Sequence, residues 1–528
     1  MLQLAVKQNI EAERLKRSFC QVMVEVAKQI PETPTLEQIE EATPRIPHLA
    51  ELANNFCNWI EDEDLILPFV GLGRYYNGQG FYHQTEPWLL KCLSVSRDRF
   101  GEKHPDVATS FNKLAYLYYS QGKYKEAESL YLKALELRKK LLGEEHSDVT
   151  TSLNDLGLLY FYQGRYEEAE HLYLQTLELR KKLLGEEHID VATSINNLAG
   201  LYDSQGKYEE AEPLYLKALE LRKKLLEEDH PDIASSLNNL GYIYDCQGRY
   251  EEAEHLYLQA LELKKRLLGE EHPSVAISLN NIGYSYYYQE KYEKAEPFLL
   301  QALEIRKRRL GEKHPDVALS ITNLAELYHY QGRYKEAEPL FLRALEIIEQ
   351  TLGEENPNFA IALNSLANLY RYQERYEEAE PIYLRVLEWR RERLGKEHPH
   401  VALSLNNLAE LYRCQKRYEE AEPLYLQALK QRKKLLGEKH PDVALSLSNL
   451  AELYRHQEKY KEAEILYLQA VKLLLNYLGD EHPNSQTILK NLKCFLQDVI
   501  AAGQRDQLSN HPLTQQLLAQ IDAANETE

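Results

Sequence analysis

The sequence predicts an all-α protein, a solenoid of stacked helix–turn–helix units, and three observations carry that prediction. One pattern, HPDVATSFNKLAYLYYSQGKYKEAESLYLKALELRKKLLGEE, opens at His104 and returns every 42 residues, at His146, His188, His230, His272, His314, Asn356, His398, His440 and His482, without insertion or deletion. Tyrosine outnumbers phenylalanine 38 to 11, because tyrosine recurs 14, 20 and usually 27 residues after each opening. Each period also holds two stretches with helical apolar spacing, separated by Gln-Gly or a variant of it.

The elements follow in chain order. Residues 1–61 form an N-terminal helical segment, split at Pro31 and Pro34. Ten units of 42 residues occupy 62–481, the first of them degenerate. They are numbered here as unit 1 (62–103), unit 2 (104–145) and so on to unit 10 (440–481). A partial unit 11 and a polar tail fill 482–528.

Within a unit the first helix begins near the proline of HPDV, where a missing N–H is harmless and an aspartate favours the helix dipole. Its apolar residues, such as Val107, Phe111, Leu114 and Tyr118, lie on one side. It ends near Gln121-Gly122. The second helix runs from about Tyr124 to Leu142 and stops at Gly143. Six second helices carry an internal proline (Pro87, Pro213, Pro297, Pro339, Pro381, Pro423), each expected to remove one backbone hydrogen bond and bend the helix slightly. Four turns replace glycine with Glu290, Glu374, Lys416 or Glu458 and must tolerate a side chain. A coiled coil is the alternative for a 42-residue period, but Gly or Pro interrupts the apolar pattern too often for a continuous seam.

Composition narrows the function. The net charge of −20 disfavours nucleic acid and anionic membranes as partners. Six scattered cysteines, with no CxxC, form neither a disulfide framework nor a zinc pattern and suit a cytoplasmic location. No apolar run is long enough for a membrane span, and no apolar leader follows Met1. Motifs for metalloprotease, nucleophile-elbow, P-loop, dinucleotide or EF-hand chemistry are missing, so no enzyme and no cofactor are expected. Glutamates in stretches such as YEEAE read as solvated helix faces. The recurrent histidines cannot share a metal, because ligands of one ion lie within roughly 4 Å of each other and packed helices stand about 8–10 Å apart. They read as parts of an inter-unit turn, where Asn356 can substitute.

Leu114, Ala115 and Tyr118 in a first helix, with Ala127, Tyr131 and Ala134 in the second, resemble the tetratricopeptide repeat. The 42-residue form, with its ELRKKLLGEEHPD segment, is similar to that of kinesin light chains and many bacterial repeat proteins. The resemblance implies a right-handed superhelix with the first helices on its concave side, and a groove that holds peptide segments of partner proteins. Residues 15–60 resemble the helical region that follows NB-ARC ATPase domains. Two further roles are therefore implied: a sensor subunit for a signalling ATPase, and a kinesin-light-chain-like cargo adaptor.

On a helical wheel the residues eight and nine places after each opening face the groove. Asparagine there is a poor helix former, at roughly 0.5 kcal/mol per residue against alanine. Its amide suits a peptide backbone. The family's groove asparagines map to Asn112, Asn154, Asn196, Asn238, Asn280, Asn364 and Asn406 at place eight, and to Asn197, Asn239, Asn281, Asn323, Asn407 and Asn449 at place nine. The competing reading is that they tie adjacent units together. Places twelve and fifteen are aromatic early (Tyr116 with Tyr119, Leu158 with Phe161, Tyr242, Tyr284 with Tyr287) and carry Arg371, Arg413 and Arg455 late. The arginines suggest an acidic partner segment, with Arg371 the least committed to a neighbour.

Overall fold

The computed structural model describes residues 2–32 and 34–525, with side chains from residue 11 to 523 apart from residue 33. Met1, residue 33 and residues 526–528, the outer ends of the predicted N-terminal segment and polar tail among them, lie outside that description. The described residues are helical throughout, without strands. No helix among them is long and apolar enough to cross a membrane.

Every unit is a pair of antiparallel helices. In unit 2 they span Pro105–Ser120 and Tyr124–Leu142, as the spacing predicts. The six helices with an internal proline run through it unbroken. Alanines at the crossing are fully buried (Ala127, Ala169, Ala211, Ala253), so the helix axes can approach closely. Successive first helices touch, as Pro231–Cys246 touches Pro273–Tyr288, whereas second helices make no comparable approach to one another. The array therefore curves with first helices inside.

Three repeated polar devices bolt neighbouring units together. The tyrosine at place fourteen donates to a glutamate of the preceding unit: Tyr118 to Glu86 at 2.9 Å, Tyr202 to Glu170 at 2.7 Å, Tyr286 to Glu254 at 2.6 Å. This hydroxyl is why tyrosine replaces phenylalanine there. It also corrects the reading of YEEAE, whose last glutamate is engaged while the middle ones face water. In five units an arginine stacks on that tyrosine and pairs with the same glutamate, as Arg249 does with Tyr244 and Glu212. Finally, a buried arginine near the end of the second helix reaches into the next unit. Arg432 donates to Ser446 Oγ at 2.7 Å and to the Asp442 carbonyl at 3.1 Å. The same arrangement holds for Arg138, Arg180, Arg222, Arg306 and Arg390.

The superhelix also closes on itself. The opening residue of unit n+6 meets the first-helix C-terminus of unit n. His314 Nε2 lies 3.0 Å from the Gly78 carbonyl, Asn356 Nδ2 donates to the Ser120 carbonyl at 2.9 Å, and His398 Nε2 lies 3.1 Å from the Tyr162 carbonyl. Tyr208 and Tyr477 touch across the same seam, and Leu394 packs on the apolar core of units 2 to 4. One superhelical turn thus takes about six units, and the second turn rests on the first.

The seam explains why five turns must keep glycine, while Gly332 of unit 7 is kept without such a contact. All the turns have positive φ, and Glu290, Glu374, Lys416 and Glu458 adopt it at 58–62°. A Cβ on Gly80 would lie 2.5 Å from Pro315, on Gly122 2.7 Å from Pro357, and on Gly164 2.9 Å from Pro399. Gly206 and Gly248 are covered likewise by His440 and His482. The turns with side chains belong to units 6, 8, 9 and 10, which no later unit covers. At the N-terminal end, the helix Leu2–Gln29 crosses unit 1 so closely that a Cβ on Gly71 would lie 2.8 Å from Ala27.

The histidines do two jobs at the seam. Each Nδ1 accepts from the backbone N–H two residues on, capping its helix, and Asn356 does the same with Oδ1. The ring proton therefore sits on Nε2, where His314 and His398 donate to carbonyls. Burial holds His398 down at about 4 and depresses His314, His440 and His482. With folded values below an unfolded value of about 6.5, the stability gained from neutral rings is complete above that pH and drains as pH falls toward 4. Replacing His398, His440 and His482 with Asn is expected to leave the melting temperature at pH 7.5 within a few degrees. It should also remove part of the loss between pH 6.5 and 4; superimposable pH profiles for variant and wild type would refute this role.

Candidate functional site

The candidate groove is the inner wall of first helices, and its asparagines form a ladder. The place-nine amide donates to the place-eight carbonyl of the preceding unit. The distances are 2.8 Å for Asn197 to Asn154, 3.0 Å for Asn239 to Asn196, 2.7 Å for Asn323 to Asn280, 3.0 Å for Asn407 to Asn364 and 3.0 Å for Asn449 to Asn406. Asn112 instead donates to Asp155 at 2.9 Å. The step is interrupted between units 7 and 8, where Thr322 and Ser365 replace the asparagines, and between units 5 and 6. Unit 5 has Lys264 where units 2–4, 6, 8 and 9 have the bolting arginine, so Ser278 lacks that donor and takes one from Asn238 at 3.2 Å. Asn281 is left without a side-chain hydrogen bond among the described residues. All thirteen asparagines are at least half-buried. The ladder spends one amide atom of each paired asparagine on its neighbour, and Asn323 spends the other as well, accepting from Tyr284 at 2.8 Å.

A second ladder runs from place fifteen of one unit to place sixteen of the next. Tyr119 meets Tyr162, Tyr287 meets Tyr330 and His329 meets Tyr372, with ring centroids 5.3, 5.3 and 4.7 Å apart. Tyr284 and Tyr287 pack on Tyr288. Place sixteen supplies what the wheel passed over: Tyr288, Tyr330 and Tyr372 are about half-exposed (53, 51 and 49%), as is Tyr242 at place twelve (48%). Recurrence of tyrosine at 162, 288, 330 and 372 was the available signal.

The three arginines are not free. Arg371 lies over the Tyr372 ring and 3.6 Å from Glu410. Arg413 grips Glu410 with two bonds of 2.9 and 2.6 Å and donates to His456 Nε2 at 2.8 Å. Arg455 lies between Glu452 at 3.3 Å and Asp498 at 3.2 Å. Glu410 and Glu452 are themselves fixed by Tyr425 and Tyr467, at 2.6 Å each. The expectation that Arg371 is the least committed is corrected: a carboxylate from the next unit and a ring beneath it hold it. Helix-face spacing shows the pairs of Arg413 with Glu410 and Arg455 with Glu452, but not the partners from the next unit, Glu410 for Arg371, His456 for Arg413 and Asp498 for Arg455.

A different charge stands uncompensated. Asp203, Asp245 and Glu326 line the tyrosine stretch, and none of them forms an ion pair among the described residues. Burial raises Asp203 to about 7 and Asp245 to about 6, and raises Glu326 also. No group of histidines, cysteines and carboxylates suited to a metal occurs among the described residues.

The family model described as tetratricopeptide repeat matches ten overlapping stretches that together run from residue 64 to 493. No curated protein matches the sequence. Solved structures with similar folds include a Podosopora anserina protein with kinesin light chain, nearly identical TPR-like repeats. It is 28% identical and covers 39% of this chain and 97% of its own, with a TM-score of 0.34. BtubC (BKLC) from P. vanneervenii is 25% identical over 44% of this chain and 92% of its own, with a TM-score of 0.37. A Rap protein complexed with competence and sporulation factor is 15% identical over 80% and 99%, with a TM-score of 0.45.

Proposed function

Starting from the fact that the chain belongs to the tetratricopeptide repeat family, a family of protein-interaction modules, we propose that it is a non-enzymatic, cytoplasmic scaffold that holds one extended segment of a partner protein inside its superhelix. The half-exposed tyrosines of the inner wall, Tyr242, Tyr288, Tyr330 and Tyr372, carry this reading. Width supports it. Six first helices about 8–10 Å apart enclose axes roughly 16–20 Å across. Subtracting a helix diameter of about 10–12 Å leaves room for an extended chain and too little for another helix. Because the seam closes the wall, a segment enters along the superhelix axis. All six thiols are free, in keeping with the cytoplasm.

An acidic segment would have to displace Glu410, Glu452 and Asp498 from the arginine ladder, so the aromatic stretch is the preferred contact. Roles as a sensor beside a signalling ATPase or as a cargo adaptor would use the same channel and differ in whose segment occupies it.

Asn281 offers a clean probe, because the ladder leaves it unengaged. Asn281→Ala combined with Tyr330→Ala is expected to release partners captured by affinity purification while leaving the melting temperature within a few degrees. Asn407→Ala, which unpairs Asn364, should instead lower stability by about 0.5–1.5 kcal/mol. Retention of every partner by the Asn281/Tyr330 variant would refute the channel as the binding site.

A further inference from the structure

The geometry points to a lysine- or arginine-bearing extended segment as the occupant of the channel between Asp203 and Tyr330. This rests on the channel reading above and names the chemistry of what fills it.

Asp203, Tyr242, Asp245, Tyr288, Glu326 and Tyr330 come from four consecutive units and interact with one another. The Tyr242 hydroxyl feels Asp203, Cys246 and Tyr288; the Tyr288 hydroxyl feels Asp245, Glu326 and Tyr330. Three carboxylates thus stand among half-exposed aromatic faces. Among the described residues their partners are neutral hydroxyls: Ser285 at 2.8 Å and Tyr257 for Asp245, and Tyr284 at 3.1 Å and Ser365 at 2.7 Å for Glu326. Asp203 has no side-chain hydrogen bond. The contrast with units 8 to 10 decides the sign: there every carboxylate at the same depth has an arginine, and the charges already balance.

Carboxylates in a concave wall focus a negative potential, which attracts cations. Tyrosine faces add cation–π attraction, worth more where water is thin. The aliphatic stems of lysine and arginine also suit apolar ring surface. An anionic segment would meet repulsion on the same stretch, and a purely apolar one would leave the carboxylates buried without a counter-charge.

The test uses the full chain and two fluorescent nonapeptides of glycine and serine, one bearing three arginines and the other three glutamates. Binding is read by anisotropy at pH 8, above the values of about 7 for Asp203 and about 6 for Asp245, in low salt and in 0.3 M salt. The arginine peptide should bind at least tenfold more tightly than the glutamate peptide and weaken with salt. Asp203→Asn, Asp245→Asn and Glu326→Gln together should abolish that preference, with helicity checked by circular dichroism. These amides keep the acceptors that face Ser285, Tyr284 and Ser365. Equal binding of both peptides, or an arginine preference that survives in the neutralised variant, overturns the inference. If the glutamate peptide binds better and Asn281→Ala with Tyr330→Ala removes it, the inference falls while the channel reading stands. If neither peptide is sensitive to any channel variant, both fall.

Discussion

Replacing Gly80, Gly122, Gly164, Gly206 and Gly248 together with glutamate is expected to open the superhelix without unfolding it. The turn itself accepts glutamate, since Glu290, Glu374 and Glu458 hold the same positive φ. The added Cβ atoms would instead collide with Pro315, Pro357, Pro399, His440 and His482 in the second superhelical turn. Overpacking of this kind costs on the order of 1–3 kcal/mol per contact. Five such contacts exceed what a seam of a few hydrogen bonds can withstand, at about 0.5–1.5 kcal/mol each. Helical circular dichroism should persist while the radius of gyration from small-angle scattering rises. The reverse changes, Glu290→Gly, Glu374→Gly and Glu458→Gly, should leave the radius unchanged. An unchanged radius in the five-fold variant would contradict the seam.

The second large effect is expected at Arg390. The residue is 3% exposed, and its guanidinium donates to Ser404 Oγ at 2.7 Å and to the His400 carbonyl at 3.2 Å. Burial lowers its pKa to about 10. Arg390→Ile strands both acceptors and should lower stability by about 2–4 kcal/mol in denaturant titration. Units 7 and 10 already show how the loss is accommodated. There Ile348 and Leu474 replace the arginine, and the facing serine becomes Ala362 or Ile488. Adding Ser404→Ala to Arg390→Ile should therefore recover part of the stability. A double variant less stable than the sum of the two single changes would refute the coupling.

The helices and the unit period were legible because a strict repeat makes each apolar position visible many times over. The role of Asn356 in place of histidine was legible in kind, as an inter-unit turn. Its reach to Ser120 was not, since no local pattern reports a partner six units away. The four turn substitutions held that information in a form that needed three dimensions: they mark the turns that nothing covers. The Arg390–Ser404 bolt also left a sequence trace, in the joint replacement by Ile348 with Ala362 and Leu474 with Ile488. It was hidden inside an ELRKKLL stretch whose other charges are solvated. For the groove, the wheel identified the facing residues but not what they face. Asn197 and Asn239 look like free amides on a single helix and are half-engaged once the preceding helix stands beside them. Arg371 looks free for the same reason.

Lysine cross-linking with mass spectrometry tests the closed superhelix most directly. Lys125 and Lys207 of the first superhelical turn and Lys396 and Lys434 of the second line one crevice of about 1020 Å³ between the turns. A short amine-reactive linker should join residues of the first pair to residues of the second in the wild-type chain at low protein concentration. The five-fold glycine-to-glutamate variant should lose those links and keep the links between adjacent units. Cross-links confined to neighbouring units in the wild-type chain would contradict a superhelix that closes on itself every six units.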